Sequence, residues 1–303
     1  MEVPGRAMMQ SFDPAAFKSG TRDQWDQAAA AWDAWRPTLE EWLAEPTATM
    51  LDLARVTGGA HVLDVAAGAG GQSVLAARRA GPQGRVLATD ISAGILELAQ
   101  RRFDQSGLAN ATTKVMDGEE LAGEEGRFDA VICRLGLMYF PDRAGALAAA
   151  HRALRPGGRF AAVVFGAAAD NVFFSLPVSI IRRRAGLGPA PPGQPGPFSL
   201  AADGVLEQEL AAAGFIELEV QAVEAPLRLP SAAVPAVREG VVRRASSDAV
   251  RLGRARAGSR LGGGRCRAEA VRGTGWIRRA VPAAGRRGNA VSAGVSVLSS
   301  LRA

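Results

Sequence analysis

The feature that most constrains the fold is the segment HVLDVAAGAGGQS at residues 61–73, an apolar run that leads into a glycine-rich bend. The apolar run is typical of a short, buried, parallel strand. Gly68 and Gly70 remove the Cβ atoms that would hold a ligand away from the main chain. A helix that begins near Gln72 would direct unpaired N–H groups and its positive dipole end to the same place. The segment therefore predicts a ligand-contacting bend, although tight strand-to-helix turns also use glycine for steric reasons alone.

A second strand-like run, GRVLATD at residues 84–90, ends in Asp90. It follows the glycines at about the twenty-residue spacing at which a carboxylate can accept both hydroxyls of a ribose. Helical spacing then extends from Ser92 to Phe103, and Ser92 is suited to be the N-cap. The sequence thus predicts a βαβ unit with Asp90 as a ribose-binding residue.

Further strand-like runs follow along the chain, at residues 111–116, 128–133, 158–165 and 215–223. The first five strands alternate with helices. This order predicts an α/β fold: a Rossmann-like, mostly parallel sheet with helices on both faces and a ligand crevice at the carboxyl ends of the strands.

Three acids, Asp64, Asp90 and Asp117, each stand at the carboxyl end of a predicted strand. Because these ends meet at one edge of a parallel sheet, the three carboxylates would converge on the crevice. An aspartate after a strand can also cap the next helix, and for Asp117 taken singly both interpretations stay open. Three acids in register favour a binding site.

With these motifs in place, the chain from about Trp25 to Leu229 resembles the class I S-adenosylmethionine-dependent methyltransferases, particularly the ubiquinone and menaquinone biosynthesis branch. The matching segments, in order, are LDVAAGAGG, VLATDIS, KVMDGEEL, FDAVICRLGLMYFPD and LRPGGR. The resemblance implies S-adenosyl-L-methionine as cofactor and methyl transfer to a small-molecule carbon or oxygen acceptor. A crevice edged by carboxylates also suits a sulfonium and an ammonium better than a pyrophosphate.

The resemblance further implies which residues bind the cofactor, and these are Asp64, Ala66, Gly68, Gly70, Asp90, Ile91, Asp117, Gly118, Arg134 and Leu135. The acid of the first strand and the glycine backbone would hold the methionine end. The pair after the second strand would bind the ribose and pack on the adenine. The pair after the third strand would read the adenine amino group, and the pair after the fourth would border the sulfonium.

The sequence identifies no catalytic base and predicts no metal site. His61 begins the first strand, at the end far from the crevice, and His151 lies in an alanine-rich helix. Tyr139, at the crevice mouth, either orients an acceptor or is a wall residue. A base is needed only when the acceptor must lose a proton before it attacks the methyl group.

Two regions are candidates for a lid over the crevice. Residues 21–51 hold four of the five tryptophans in two helical patterns separated by Pro37, which either pack as core or form part of an acceptor pocket. The insertion at residues 167–200 contains a proline- and glycine-rich loop. The predicted domain organisation is a flexible N-terminus (1–20), a methyltransferase domain (21–235, with cofactor-binding core 58–166 and lid insertion 167–200) and a basic low-order tail (236–303).

The net charge of +6 is divided unevenly. Residues 1–235 carry 21 Lys and Arg against 27 Asp and Glu, a net of −6, whereas residues 236–303 carry 15 Arg against 3 acids, a net of +12. This tail is interpreted as a disordered nucleic-acid-binding segment or, preferably, as out-of-frame translation. Members of the family place a seventh, antiparallel strand between the fifth and sixth, and only the weak candidate 290–298 is available for it. If this strand is missing, the sheet edge is incomplete, and we expect marginal stability or aggregation.

Two other function classes remain open on the sequence alone. An NAD-dependent oxidoreductase would use the glycine bend and Asp90 but would leave Asp64 and Asp117 unexplained. A non-catalytic cofactor-binding regulator would contact nucleic acid through the basic tail. The two cysteines form no disulfide or metal pattern, and the chain has no apolar leader and no apolar run of membrane-spanning length. A cytoplasmic location is expected, and the sequence does not indicate the oligomeric state.

Overall fold

A seven-stranded β-sheet is the centre of the computed structural model, which describes residues 12–184, 193–228, 290–291 and 294–302. The strands of this sheet are β1 (His61–Val65), β2 (Arg85–Asp90), β3 (Ala111–Val115), β4 (Phe128–Arg134), β5 (Leu154–Phe165), β6 (Phe215–Glu224) and β9 (Gly294–Arg302). Their order across the sheet is β3-β2-β1-β4-β5-β9-β6. Two short strands, β7 (Leu227–Arg228) and β8 (Ala290–Val291), form a separate two-stranded sheet.

Helices connect the strands and pack against the sheet. They are α1 (Pro14–Ala34), α2 (Arg36–Trp42), α3 (Ala44–Leu53), α4 (Gly71–Ala80), α5 (Ala93–Gln105), α6 (Arg143–Ala153), α7 (Val172–Arg184) and α8 (Val205–Ala212). α4 and α5 contact β2 and β3, α3 contacts β5 and β9, and α8 contacts β6. Among the described residues, no helix is both long enough and apolar enough to cross a bilayer.

The chain divides into two compact units. The larger unit consists of Ser11–Ser175, Ala190–Leu227 and Val291–Ala303, and it contains the seven-stranded sheet and the site described below. The other unit consists of Met1–Gln10, Leu176–Pro189 and Arg228–Ala290. The structure describes the end of α7 from this second unit, where Pro177 lies inside the helix and the last turn is basic.

The parallel part of the sheet confirms the predicted fold. β1 pairs in parallel with β2 and with β4, β2 pairs with β3, and β4 pairs with β5. Val62 and Leu63 are fully buried, as expected for an apolar strand covered on both faces. Ser92 caps α5, because its Oγ accepts a hydrogen bond from the Ile95 N–H at 3.1 Å. The predicted βαβ unit is therefore present.

The N-terminal boundary differs from the prediction. α1 begins at Pro14, and the Asp13 Oδ1 accepts hydrogen bonds from the next two free N–H groups at 3.0 and 3.1 Å. Residues 14–20 are consequently helical rather than flexible. The second predicted lid helix is interrupted at Leu43 and forms α2 and α3. Residues 1–11 lie outside the described residues.

β5 also begins earlier than predicted, because the turn LRPGG is incorporated into the strand. Leu154 pairs with Phe128, and the next pairing of the two strands joins Arg159 to Ala130. The extra residues form a bulge in which Gly157 adopts a positive φ of 77°. The turn agrees with the prediction, but the pairing of Leu154 with Phe128 ahead of the turn was not predicted.

β9 supplies the seventh strand and overlaps the weak candidate 290–298, so the condition for an incomplete sheet edge is not met. It lies antiparallel between β5 and β6, with Val297 opposite Val163 and Leu298 opposite Val220. Val295 and Val297 alternate into the core, which removes the stated reason for marginal stability. The low-order interpretation of 236–303 is therefore wrong for residues 294–302. Residues 236–289 lie outside the described residues, so their nucleic-acid-binding and out-of-frame interpretations stay predictions.

Candidate cofactor site

One cavity of about 1190 Å³, counted with its open mouth, lies at the carboxyl ends of the first four strands. Most of the predicted cofactor residues line it: Ala66, Gly68, Asp90, Ile91, Asp117, Gly118, Arg134 and Leu135. Asp64 and Gly70 do not. Asp90 and Asp117 therefore converge on the cavity as predicted from the strand ends, whereas the third predicted carboxylate, that of Asp64, does not reach its wall.

Gly70 serves packing rather than ligand contact. It has a positive φ of 75°, and a Cβ at this position would lie 2.9 Å from the Ala99 Cβ and 3.0 Å from the Phe103 ring. The glycine thus allows α4 to start close against α5. Gly68, with φ 56°, does face the cavity, and its N–H donates to the Asp90 Oδ2 at 3.0 Å.

Asp64 lies beneath the glycine bend and is fully buried. Its Oδ1 accepts from the Gln72 Nε2 at 3.1 Å, and its Oδ2 accepts from the Ser73 Oγ. Burial raises the pKa of Asp64 to about 7, although these hydrogen bonds and the charge of Arg134 act in the opposite direction. Asp64 itself does not line the cavity, whereas Gln72, which it holds, does.

Asp90 is directed at the cavity and is only 8% exposed. Its Oδ2 accepts from Gly68 and its Oδ1 accepts from the Ser92 N–H, both at 3.0 Å. Burial raises the pKa of Asp90, while the backbone hydrogen bonds favour the charged form. Because each carboxylate oxygen can accept more than one hydrogen bond, Asp90 keeps acceptor capacity for the hydroxyls of a ligand.

Asp117 forms an ion pair with Lys18, a residue that was not predicted to belong to the site. The Lys18 Nζ lies 2.6 Å from the Asp117 Oδ2 and 2.5 Å from the Glu119 Oε2. Burial lowers the pKa of Lys18, but the hydrogen bonds and charges of these acids outweigh it and leave the pKa raised. Lys18 projects from α1, within the segment that was predicted to be flexible. Next to Asp117, Gly118 is required, since a Cβ there would lie 2.8 Å from the Phe140 ring.

Arg134 turns its guanidinium toward the start of α4. Its Nη1 donates to the Thr47 Oγ1 at 2.9 Å. Burial lowers the pKa of Arg134 to about 10; Asp64 opposes this shift and Arg102 adds to it. Leu135 has a positive φ of 59°, and its N–H donates to the Val163 carbonyl at 2.7 Å, which fixes the backbone after β4.

Another wall of the cavity comes from α1 and α2, and its aromatic side chains belong to α1. Trp25 and Trp32 pack edge to face with ring centroids 5.2 Å apart, and both line the cavity. Trp42 does not line it; it stacks between Phe165 and Phe174 as core. Trp42 therefore packs as core, whereas for Trp25 and Trp32 the acceptor-pocket interpretation stays a prediction.

α1 is anchored over the site at a second point. The Asp26 Oδ1 accepts a hydrogen bond from the Ser92 Oγ, and it also accepts from the Gly94 N–H at 3.3 Å. Neither histidine lines the cavity, whereas Tyr139 does. Within the described part of the chain, no group of three His, Cys, Asp or Glu side chains is placed to hold a metal ion.

Comparison with known proteins identifies the class. Residues 62–158 match the family described as a methyltransferase domain. Nocamycin O-methyltransferase of Saccharothrix syringae is 30% identical over 228 residues, which cover 68% of this chain and 76% of that protein. The ubiquinone/menaquinone biosynthesis C-methyltransferase UbiE of Bordetella parapertussis is 38% identical over 112 residues, 37% of this chain and 43% of UbiE, so the match spans less than half of that relative.

A solved structure shows the same fold. Phosphoethanolamine N-methyltransferase 2 of Haemonchus contortus superposes with a TM-score of 0.53 at 15% identity, covering 97% of this chain and 60% of that one. The chain belongs to the class I S-adenosylmethionine-dependent methyltransferases. Its cofactor is S-adenosyl-L-methionine, as predicted, and the oxidoreductase alternative is set aside.

The residues on the cavity wall fit this cofactor. Asp90 and Asp117 place carboxylates along it. Both carboxylates suit a ligand that carries two positive groups and a ribose.

Proposed function

We propose that this chain transfers the methyl group of S-adenosylmethionine to a carbon or oxygen atom of a small molecule. One observation carries the proposal: a single continuous cavity is lined both by most of the predicted cofactor residues and by the aromatic side chains of α1. The proteins to which the chain is similar support it, since one is named an O-methyltransferase and another a C-methyltransferase.

We assign a different ligand contact to the residues at the carboxyl end of each strand. Asp90 accepts from the ribose hydroxyls, and Ile91 packs on the adenine. Asp117 accepts from the adenine amino group, with Gly118 leaving room for the ring. Asp64 acts indirectly, because it holds Gln72 and Ser73 and thereby fixes the first turn of α4.

The bound cofactor supplies an activated methyl group on a sulfonium. The chain then has to align the acceptor with that group and exclude water. Trp25, Trp32 and Phe140 provide an apolar wall for this purpose, and Tyr139 offers a hydroxyl that can orient a polar atom of the acceptor. No base is assigned, since an acceptor that is already ionised or carbanion-like needs none.

The proposal is tested by a screen of methyl acceptors with isotope-labelled cofactor. Phenolic, enolic and carboxylic compounds are incubated with the protein, and labelled products are located by mass spectrometry. We expect a label on carbon or oxygen of an apolar or aromatic compound, and we expect Trp25→Ala to lower the yield more than it lowers cofactor affinity. Label on nucleic acid or protein, with none on small molecules, would overturn the proposal.

A further inference from the structure

We infer that Lys18 is a positioning residue for recognition of the adenine: it holds two neighbouring carboxylates together and thereby keeps Asp117 in place to accept from the 6-amino group. This inference rests on the proposed function, in which Asp117 makes that contact. It goes beyond the proposed function because it assigns a role to a residue outside the strand ends and makes recognition of the base depend on α1.

Two carboxylates lie side by side after β3. The Lys18 Nζ is 2.6 Å from the Asp117 Oδ2 and 2.5 Å from the Glu119 Oε2. Because both oxygens contact the same nitrogen atom, the two anions are close neighbours and repel each other. The Glu119 side chain is only 9% exposed, so solvent screens its charge little. The lysine ammonium is therefore the group that stabilises both charges at this place.

The backbone decides which carboxylate would move if Lys18 were removed. The Glu119 Oε1 accepts from the Asp142 N–H at 2.9 Å, just before the start of α6, so Glu119 is held on its other side. The Asp117 Oδ1 accepts only from the N–H of Glu119 two residues away, at 3.0 Å. The Asp117 side chain is also more exposed, at 27%. Repulsion would consequently displace Asp117 toward solvent and away from the adenine position.

The contact with Lys18 leaves Asp117 able to bind a ligand. Each carboxylate oxygen can accept more than one hydrogen bond, so an ammonium and an amino group can share the carboxylate. Lys18, Asp117 and Gly118 all line the cavity. Burial lowers the pKa of Lys18, but its two acids outweigh burial and leave the pKa raised, so the lysine is charged at neutral pH.

The same contact joins α1 to the part of the cavity that would hold the base. None of the 21 residues of α1, all of which the structure describes, is buried. α1 is therefore held over the cavity by its side-chain contacts rather than by a buried face. Asp26 provides a second tie, since its Oδ1 accepts from the Ser92 Oγ and from the Gly94 N–H. This tie is unaffected by Lys18→Met, so we expect α1 to stay in place in that variant.

The test compares two ligands by calorimetric titration. They are S-adenosylhomocysteine and its analogue in which hydrogen replaces the 6-amino group of the adenine. We expect the unaltered chain to bind S-adenosylhomocysteine about 10- to 100-fold more tightly, the range for loss of a charge-assisted hydrogen bond. Lys18→Met should reduce this preference to about threefold or less, because a displaced carboxylate makes at most a weak hydrogen bond.

The matched control is Lys114→Met, which removes the only other lysine of the chain. Lys114 also forms an ion pair, with Glu124 at 2.8 Å, and it lies on β3 three residues before Asp117. It does not line the cavity. Lys114→Met should therefore leave the preference for the 6-amino group unchanged.

A double variant separates positioning of Asp117 from attachment of α1. Glu119→Gln keeps an oxygen that can accept from the Asp142 N–H but removes the charge that repels Asp117. Added to Lys18→Met, it should restore most of the preference for the 6-amino group. If Lys18 served only to attach α1, removal of the Glu119 charge would restore nothing.

The ratio of the two affinities stays informative even if Lys18→Met destabilises the chain, because a reduced folded fraction weakens both ligands by the same factor. Four results would overturn the inference and leave the proposed function standing. These are no preference in the unaltered chain, an equal loss of both ligands in Lys18→Met, a larger preference in that variant, and no recovery in the double variant. Binding of neither ligand by the unaltered chain would contradict the proposed function itself.

Discussion

The region around β1 and the region around β9 differ in how their buried polar groups are hydrogen-bonded. Under the cofactor cavity, the buried Asp64 has hydrogen-bond partners for both oxygens, supplied by the turn that follows its own strand. In β9, Ser299 and Ser300 are also fully buried, yet their hydroxyls have no partner within the described part of the chain. The first region is organised by residues close in sequence, and the second by two strands far away from it.

This contrast shows where a sequence pattern carries structural information. A strand, a glycine bend and a capped helix specify one another over a few residues. β9 instead depends on β5 and β6, which pair with it along its two edges. Four predictions compare the region around β1 with the region around β9.

The largest effect is expected from a charge in the centre of β9. Val297 is fully buried, so Val297→Asp should lower the free energy of unfolding by about 3–5 kcal/mol, because a buried carboxylate has no compensating partner there. Denaturant unfolding followed by circular dichroism measures the change. Ser296→Asp, at the neighbouring half-buried position, is the control and should cost much less. Equal small losses in both variants would show that β9 does not hold the sheet together.

Next in size is the pH dependence that Asp64 contributes. Its pKa of about 7 in the folded chain lies above the ordinary value of 3.8, so between these pH values the folded state keeps a proton that the unfolded chain has lost. The stability from Asp64 is therefore full below about pH 4 and falls as the pH rises to about 7. The total change is at most on the order of 4 kcal/mol.

Asp64→Asn removes this titration. Urea unfolding at pH 5 and pH 8 should show a smaller difference for the variant than for the unaltered chain. The neighbouring charges, Arg134 and Asp90, stay in both proteins. An unchanged difference would mean that Asp64 is ionised throughout.

The features that could be predicted from the sequence are those that depend on local patterns. The parallel strands, the cap at Ser92 and most of the cavity wall could be predicted, because each depends on a local pattern with a known period. Lys18 and Gln72 could not, since a lysine near the N-terminus and a glutamine in a helix carry no signal of what they face. Arg102 did leave a signal: it shares a helical face with buried apolar residues of α5, where a charged residue needs a partner.

β9 is an element that the local sequence predicts only weakly. Its sequence, GVSVLSSLR, has two valines in alternation followed by two serines, and only the first half resembles a strand buried on both faces. The pairing with β5 and β6 outweighs that weak local preference. Tertiary context of this kind cannot be read from a window of a few residues.

A smaller effect is expected at the cofactor cavity. Asp90→Ala removes a carboxylate that faces the proposed ribose position, and we expect cofactor affinity to fall by about 1–3 kcal/mol. Asp64→Ala should weaken binding within the same range through the first turn of α4. Calorimetric titration measures both, with the exposed Asp104→Ala on α5 as control. Unchanged affinity in both variants would remove the site assignment.

The smallest effects are expected from two buried hydroxyls, one in β9 and one in the first turn of α4. Ser299→Ala removes an unpartnered buried hydroxyl and should raise the free energy of unfolding by about 1 kcal/mol. Ser73→Ala removes a hydroxyl that donates to Asp64, and it should lower the free energy of unfolding by a similar amount. Thermal unfolding of the two variants checks the opposite signs. The same sign in both would contradict the contrast between the regions.

The central claim is that the carboxyl ends of β1, β2 and β3 seat a positively charged methyl donor. Titration of the isotope-labelled chain with S-adenosylmethionine, followed by backbone amide chemical shifts, tests it most directly. We expect saturable shifts at Gly68, Ile91 and Gly118. Shifts confined to residues outside the cavity, such as the groove lined by Asp52 and Arg159, would contradict the claim, as would the absence of any saturable shift.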